Sequence, residues 1–245
     1  MSTRTILVSV AAAVAALALL TACGSSSTAP QKTTASALPT QPALQLTYST
    51  GTRCVYPVSA APAAKTVHAP TPKPIDSVRQ ATLSTNQGTI EIALNTQTTP
   101  CTVNSFASLI LQKYFNDTPC HRLTTANIYV LQCGDPSGSG SGGPGYEFKD
   151  ELVKAAKPKD CTAQGCVYPA GTVAMANAGP GTNGSQFFLV YQDSPLAYSY
   201  TIFGHMSAES LAVVKKIASY GTNNMNGDGD GGPNEQVTIE AAIVQ

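Results

Sequence analysis

The sequence predicts a mainly β fold, a closed antiparallel barrel capped by two α-helices. Three observations indicate it. Short apolar runs with strand-type alternation recur from residue 80 onward, turn pairs containing Gly, Pro or Asn separate these runs, and two segments carry helical spacing. The roughly 170 residues that carry this pattern are a normal size for one domain with a single core.

The N-terminal segment predicts export. Arg4 supplies a positive charge, Ile6–Leu20 is apolar, and Leu20-Thr21-Ala22-Cys23 resembles a bacterial lipobox. Its length of 15 residues favours a signal peptide (residues 1–22) over an anchor helix, which needs about 20. We expect Cys23 to carry lipid and to hold the protein on the outer, extracytoplasmic face of the cell membrane. An uncleaved anchor helix and ordinary secretion are the alternatives.

Residues 23–75 are rich in Ser, Thr, Ala and Pro and lack any helical or strand period, which predicts a linker. Its end, Pro70–Pro74, should be stiff and extended. The apolar stretch Cys54–Pro57 is an exception, and it indicates that this part of the linker docks on the domain that follows, residues 76–245.

The domain begins with a hairpin, because Asn86-Gln87-Gly88 is a turn between two alternating runs. Thr99 before Pro100 is typical of a helix start, and Gly221 is typical of a helix end. The expected elements are strands at Gln80–Ser84 and Thr89–Leu94, a helix ending near Tyr114, strands at Val173–Ala176 and Gln186–Tyr191, a helix from Ser207 to about Tyr220, and a last strand at Val237–Ile239.

The stretch Gly171–Gln192 joins two apolar strands through a turn-rich segment, residues 177–184. Small residues leave room above its backbone, and Asn177 and Gln186 offer amide groups. This layout suits an extended peptide that bonds to the main chain and places a side chain in a pocket. On composition alone, however, an ordinary β-hairpin with a wide loop is the favoured interpretation.

The run M-A-N-A-G-P-x-T-N-G-S-Q-F-F, residues 175–188, is similar to the signature of the cyclophilins, which are peptidyl-prolyl cis–trans isomerases. Further blocks agree in order and spacing between Ser77 and Gln245: His121-Arg122-Leu123, Tyr129–Pro136, Gly142–Phe148 and Tyr200–Gly204. The resemblance implies the eight-stranded cyclophilin barrel. It also implies an isomerase that acts on proline-containing segments of exported proteins and needs no cofactor or metal. We expect a monomer, but no sequence feature decides the oligomeric state. A module or chaperone that binds Pro-containing segments without turnover is the alternative.

The resemblance implies three catalytic residues: Arg122 as a cationic donor to the prolyl nitrogen, Gln132 to orient it, and Asn177 to hold the substrate backbone. The residues implied for substrate binding are Tyr129, Val130, Ala176, Gln186, Phe188, Leu196 and Tyr200. The pocket departs from the family pattern. Tyr129 and Val130 replace Phe and Met, Tyr200 replaces His, and Pro195 stands where many cyclophilins carry Trp. These changes predict altered substrate preference and weak inhibition by cyclosporin.

Composition argues against two other classes of function. The formal net charge is zero and 11% of residues are charged, so no nucleic-acid interface is expected. The three histidines are scattered and no Cys–His spacing resembles a zinc site. The segment Asn224–Glu235 partly follows the spacing of an EF-hand loop, but an ordinary Gly- and Asn-rich turn is the favoured interpretation.

Besides Cys23 the chain contains six cysteines, an even number that predicts disulfides in an exported protein. Cys161 and Cys166 are five residues apart and are candidates for one bond. Cys54, Cys101, Cys120 and Cys133 allow three pairings, which the sequence leaves open. Buried free thiols are the alternative.

Overall fold

The computed structural model describes residues 37–152, 158–162 and 165–245. The expected signal peptide, Cys23 and the first part of the linker lie outside these ranges. Within the described ranges, no helix has both the length and the apolar character to cross a membrane.

The described chain is mainly β, with two helices. The strands are β1 Gln80–Thr85, β2 Gly88–Leu94, β3 Thr118–Pro119, β4 Arg122–Thr124, β5 Val130–Cys133, β6 Lys159–Thr162, β7 Gly165–Tyr168, β8 Thr172–Met175, β9 Phe187–Val190, β10 Ser194–Leu196, β11 Ile202–Met206, β12 Asp230–Gly231 and β13 Thr238–Val244. The helices are α1 Pro100–Leu111 and α2 Ala208–Ser219.

Ten strands form one curled antiparallel sheet in the order β12-β4-β5-β9-β8-β11-β2-β1-β13-β3, and β10, β7 and β6 form a second, small sheet. The main sheet is open, which differs from the closed eight-stranded barrel expected from the sequence. The chain changes partner between β3, which pairs with β13, and β4, which pairs with β5 and β12. Cys120 and His121 separate the two strands, so the hydrogen-bonded ladder is interrupted there and the two-residue strands β3 and β12 form its edges.

The core lies between the inner face of this sheet and α1. Ile90, Ile92 and Leu94 alternate with more exposed residues along β2 and are buried. Phe106 of α1 packs against Phe187 and Phe203, with ring centroids 5.3 and 4.9 Å apart. The strands that carry the functional residues are thus fixed from behind by a packed aromatic core.

The N-terminus of α1 is capped from a distance. Thr99 stands at the N-cap but makes no side-chain cap bond. The carboxylate of Glu151 instead accepts hydrogen bonds from the backbone N–H groups of Cys101 (3.1 Å) and Thr102 (2.7 Å), as well as one from the Thr102 hydroxyl (2.7 Å). Burial raises the pKa of Glu151, and these hydrogen bonds partly oppose the rise.

The region upstream of β1 packs on the domain, and residues 37–245 form one compact unit. A disulfide joins Cys54 to Cys101 at the start of α1. The ring of Tyr56 packs edge-on against Tyr146 and Phe148, 5.6 Å from each ring centroid. The segment around Cys54 therefore docks on the domain, as its apolar character indicated.

The other two disulfides lie near the strands of the site. The Cys161–Cys166 bond, expected from the sequence, links β6 to β7. The Cys120–Cys133 bond joins the residue that follows β3 to the last residue of β5. Of the three pairings open for the remaining four cysteines, the structure selects 54–101 with 120–133.

Candidate functional site

A cavity of about 180 Å³ opens on the sheet where β4, β5 and β9 face the loop after β8. We call it the first cavity. Its lining is Arg122, Ile128, Val130, Gln132, Ala176, Asn177, Phe188, Leu196 and Tyr200. The structure thus brings together eight of the ten residues that the resemblance implied for catalysis and substrate binding.

Tyr129 does not line this cavity, which corrects its expected place in the pocket. Side chains alternate across a strand, so Ile128 and Val130 face one side and Tyr129 the other. Tyr129 instead packs on the main core and against the ring of Tyr191, with centroids 5.9 Å apart. Ile128, which the sequence analysis passed over, takes the place in the lining.

The apolar wall of the first cavity is held by a small second core. Phe188 faces it, whereas the preceding Phe187 is buried in the main core. Phe188 and Tyr200 pack edge-on with ring centroids 5.4 Å apart. The hydroxyl of Tyr168 donates a hydrogen bond to the Tyr200 carbonyl (3.1 Å), which fixes the backbone that carries this ring.

Arg122 supplies the positive charge of the cavity. It begins β4 directly opposite Gln132 of β5, and its Nη1 donates to Gln132 Oε1 at 3.3 Å. Its Nε and Nη2 donate to the two carboxylate oxygens of Asp230 at 2.8 and 2.6 Å. This paired geometry fixes the plane of the guanidinium as well as its position. The hydrogen bond to Arg122 lowers the pKa of Asp230, and the same bond raises the pKa of Arg122.

Gln132 is itself held by a chain of amides. Its Nε2 donates to Gln186 Oε1 (2.8 Å), and Gln186 Nε2 donates to the carbonyls of Gly140 and Gly142 (2.9 Å each). Gln186, expected to bind substrate, does not line the first cavity. It orients Gln132 and borders a neighbouring cavity.

The side chain of Asn177 holds its own loop. Its Nδ2 donates to the Ser199 carbonyl at 2.8 Å, and its Oδ1 accepts from the Gly179 N–H at 3.2 Å. Among the described residues, none bonds to the main-chain N–H or C=O of Asn177. Those two groups at the edge of the cavity are therefore available to an extended peptide.

Asp230, like Ile128, is a residue of the site that the sequence analysis missed. It lies in the Gly- and Asn-rich segment read as a partial EF-hand pattern. In the structure Asn224 Oδ1 accepts from the Gly229 N–H (2.9 Å), which closes a turn that presents Asp230 to Arg122. Among the described residues, no group of three His, Cys, Asp or Glu side chains is placed to hold a metal ion. The one sequence signal for this role is that Asp230 stands between two glycines, Gly229 and Gly231.

A larger cavity of about 430 Å³ adjoins the first. We call it the second cavity. The two share Gln132, Ala176 and Asn177. The rest of the second cavity is walled by residues within 140–147, by residues within 178–186 and, from the N-terminal region, by Ser59 and Ala61.

Comparisons with known proteins place the chain in a family. Residues 80–244 match the sequence model of the cyclophilin type peptidyl-prolyl cis-trans isomerase/CLD family. The chain is 50% identical over 206 residues to the probable peptidyl-prolyl cis-trans isomerase B of Mycobacterium leprae, which covers 82% of this chain and 69% of the relative. For the protein of the same name in Mycobacterium tuberculosis, the values are 45% over 214 residues, covering 84% and 68%. Both matches are longer than the family match, so they take in residues upstream of Gln80.

A crystal structure of a cyclophilin type peptidyl-prolyl cis-trans isomerase from Cryptosporidium parvum is also similar. It has a TM-score of 0.57 and 25% identity, and the match covers 69% of this chain and 98% of that chain. A second structure of that protein, in the presence of the dipeptide Ala-Pro, gives a TM-score of 0.55 at 26% identity, covering 68% and 98%. The family match, the relatives and the shared fold lead to one conclusion: the chain belongs to the cyclophilin-type peptidyl-prolyl cis–trans isomerase family.

Proposed function

We propose that this isomerase seats the proline ring of its substrate in the first cavity and lowers the barrier to X-Pro rotation with the guanidinium of Arg122. The observation that carries this proposal is the juxtaposition of a fixed cation with an apolar wall. The cavity lining combines the polar side chains of Arg122 and Gln132 with the apolar Val130, Phe188 and the ring of Tyr200.

The barrier comes from conjugation of the amide, about 18–20 kcal/mol for rotation about the peptide bond. A hydrogen bond donated to the prolyl nitrogen favours the pyramidal form of that nitrogen, in which conjugation is lost. The donor therefore stabilises the twisted transition state more than either planar ground state, which is the condition for catalysis. No covalent step is needed.

Arg122 retains the donors that this step requires. A guanidinium has five N–H groups. Two of those in Arg122 bond to Asp230 and one to Gln132. Two N–H groups, one on Nη1 and one on Nη2, thus remain for the substrate. The free main-chain groups of Asn177 would hold the peptide strand while the bond turns.

Asp230 acts as a positioning residue in this proposal. Its carboxylate contacts Arg122 alone among the catalytic groups and holds the guanidinium plane at the cavity mouth. Asn226 Nδ2 donates to Asp230 Oδ1 at 3.2 Å and steadies the carboxylate in turn. A preorganised donor of this kind needs no reorganisation when the transition state forms.

We also propose that the protein works on exported chains as a monomer held on the outer face of the cell membrane through lipid on Cys23. The lipobox-like sequence and the apolar segment before it support this location, and the presence of a complete cavity within one chain supports the monomer. Cys23→Ala should move the protein from the detergent phase to the aqueous phase. Retention in the detergent phase would indicate an anchor helix instead, and sedimentation as a dimer would contradict the monomer.

The decisive experiment separates turnover from binding alone. NMR exchange spectroscopy on a short Ala-Pro peptide with the purified protein should show cis–trans exchange much faster than the uncatalysed process, which takes tens to hundreds of seconds. Peptide binding with unaccelerated exchange would favour the alternative, a module that holds Pro-containing segments.

A further inference from the structure

The chain of amides that orients Gln132 ends in a loop whose sequence gives it little stiffness of its own. Residues 137–143 read Ser-Gly-Ser-Gly-Ser-Gly-Gly, and glycine restricts the backbone least of all residues. Yet the carbonyls of Gly140 and Gly142 are the two acceptors that hold Gln186 Nε2. A chain of hydrogen bonds positions a side chain only as well as its last acceptors are fixed, so this loop needs support from elsewhere.

One half of the loop is supported from within the domain. The buried carboxylate of Asp135 accepts hydrogen bonds from the backbone N–H groups of Ser137 (2.8 Å), Gly140 (2.8 Å) and Gly142 (3.0 Å). These bonds fix the N–H groups of the first half. They leave the returning limb, residues 143–147, to other partners.

The returning limb is supported by a segment that lies upstream of the family match, which begins at residue 80. We call residues 57–65 the strap. Three main-chain hydrogen bonds join strap and limb: from the Ala64 N–H to the Gly143 carbonyl (2.9 Å), from the Ser59 N–H to the Gly145 carbonyl (3.0 Å) and from the Glu147 N–H to the Pro57 carbonyl (2.9 Å). Within the described part of the chain, these are the only main-chain hydrogen bonds of the limb.

The strap is itself fixed at both ends. Upstream, the Cys54–Cys101 disulfide ties the chain to α1, and the Tyr56 hydroxyl donates to the Cys101 carbonyl at 2.8 Å. Downstream, Lys65 Nζ donates to the Tyr114 carbonyl at 3.1 Å. The strap therefore connects the limb to α1 and to the segment that follows it, and α1 packs in the aromatic core.

The link from the strap to the catalytic groups passes through one rigid peptide unit. A peptide bond is planar, so the Gly142 carbonyl turns with the N–H of Gly143, the residue that the strap holds. Gln186 carries this restraint onward, because its Nε2 donates to the Gly142 carbonyl and its Oε1 accepts from Gln132 at 2.8 Å. Gln132 in turn accepts from Arg122. Release of the strap would therefore loosen the far end of the chain that orients Gln132 beside the guanidinium.

We propose that the strap is a positioning element for catalysis, which braces the 140–147 loop and thereby holds Gln132, through Gln186, in the orientation that Arg122 needs. This inference rests on the proposed isomerase function and adds to it a part of the chain outside the family's domain. The strap contacts no substrate in this role. It therefore acts on kcat and leaves the affinity for a short Ala-Pro peptide unchanged.

The test removes both strap donors from the full chain by combining Ser59→Pro with Ala64→Pro, because proline has no N–H. In NMR exchange on an Ala-Pro peptide, we expect kcat to fall roughly 3- to 10-fold, the effect of losing about one hydrogen bond, with the peptide Kd unchanged. Ala60→Pro is the matched control, because Ala60 lies on the same strap, is exposed and makes no described hydrogen bond. Cys54→Ser with Cys101→Ser releases the upstream tie while keeping both donors, and it should lower kcat as well.

A double-mutant cycle distinguishes positioning from a general loss of stability. Gln186→Ala alone should lower kcat, because it removes the middle of the chain of amides. Adding Ser59→Pro and Ala64→Pro to Gln186→Ala should then lower kcat little further, since both changes break the same chain. A merely structural strap would instead give the same fold loss in both backgrounds.

Unmodified kcat in Gln186→Ala would overturn the proposal, and this measurement stands whether or not the proline variant folds. So would unmodified kcat in the folded proline variant, an equal loss in Ala60→Pro, or a full additional loss in the Gln186→Ala background. Each of these outcomes leaves the isomerase function intact, because the unmodified protein still turns over the peptide. Failure of the unmodified protein to turn over the peptide would overturn both.

Discussion

Removing the carboxylate of Asp230 should slow catalysis without unfolding the protein. Asp230 and Arg122 are 26% and 34% exposed, so solvent screens their attraction and the pair contributes about 1 kcal/mol to the free energy of unfolding. The effect on rate is larger. An arginine side chain carries about 2 kcal/mol of rotamer entropy, and most of it is already lost in the paired geometry. In Asp230→Ala the Arg122 side chain regains its rotamer entropy, and that entropy is lost again when the transition state forms, which raises the barrier. A loss of 1–2 kcal/mol corresponds to a roughly 5- to 30-fold fall in kcat.

A second effect of Asp230→Ala opposes this loss of rate and is smaller. Removing the carboxylate also exposes more of the Arg122 charge, but the substrate amide has no net charge and gains little from it. Asp230→Asn keeps the shape and one acceptor, so its loss of rate should be less than that of Asp230→Ala. Asp228→Ala is the matched control, since Asp228 is exposed in the same loop and makes no described hydrogen bond.

The assay is NMR exchange on an Ala-Pro peptide, with thermal unfolding measured in parallel. Because the pKa of Asp230 is lowered, activity that depends on the carboxylate should persist below pH about 3.9, the ordinary value for Asp. It should fade only as the pH drops through the lowered value. Wild-type kcat in a folded Asp230→Ala variant, or an equal loss in Asp228→Ala, would refute the positioning role.

Three further predictions concern stability and inhibition. Because burial raises the pKa of Glu151, the native state binds more protons than the unfolded state above pH about 4.3. The free energy of unfolding should therefore fall as the pH rises through the raised pKa, and Glu151→Gln should flatten that pH dependence in urea titrations. Replacing Cys120 and Cys133 by Ser opens a 13-residue loop and should cost roughly 3 kcal/mol of stability in the same titration, whereas an unchanged midpoint would mean the bond is absent in solution. Pro195 is exposed beside Leu196 of the first cavity and offers no indole, so cyclosporin should bind about 1.5–3 kcal/mol more weakly than it binds a Trp-bearing cyclophilin. Pro195→Trp should recover part of the affinity, and tight inhibition of the unmodified protein would contradict this prediction.

The local elements of the fold were predictable because they depend on short-range chemistry. The β1–β2 hairpin follows from its Asn-Gln-Gly turn, and α2 begins after Ser207, whose side chain accepts from the Ser210 N–H. The prediction for the start of α1 was only partly correct. Thr99 and Pro100 marked the right place, but the cap comes from Glu151, about 50 residues away, which no local pattern reveals.

The site shows the same difference between features set by local sequence and features set by distant contacts. Residues inside the recognised motifs lie together, since a motif records a local backbone path. Tyr129 was misassigned because the motif gave its position but not the side of the strand on which it lies. Asp230 was missed because its role depends on a contact 108 residues distant in sequence. The open sheet likewise depends on a change of pairing partner at Cys120 and His121 that residue alternation does not encode.

The central claim is that the guanidinium of Arg122 drives the isomerisation. The most direct measurement is the cis–trans exchange rate of an Ala-Pro peptide with the Arg122→Ala variant, together with the peptide Kd and a circular dichroism spectrum. The account predicts a native spectrum, a Kd near that of the unmodified protein and a rate lower by about 100- to 1000-fold, the usual loss for one preorganised donor. A folded variant that still turns over the peptide at the unmodified rate would contradict it.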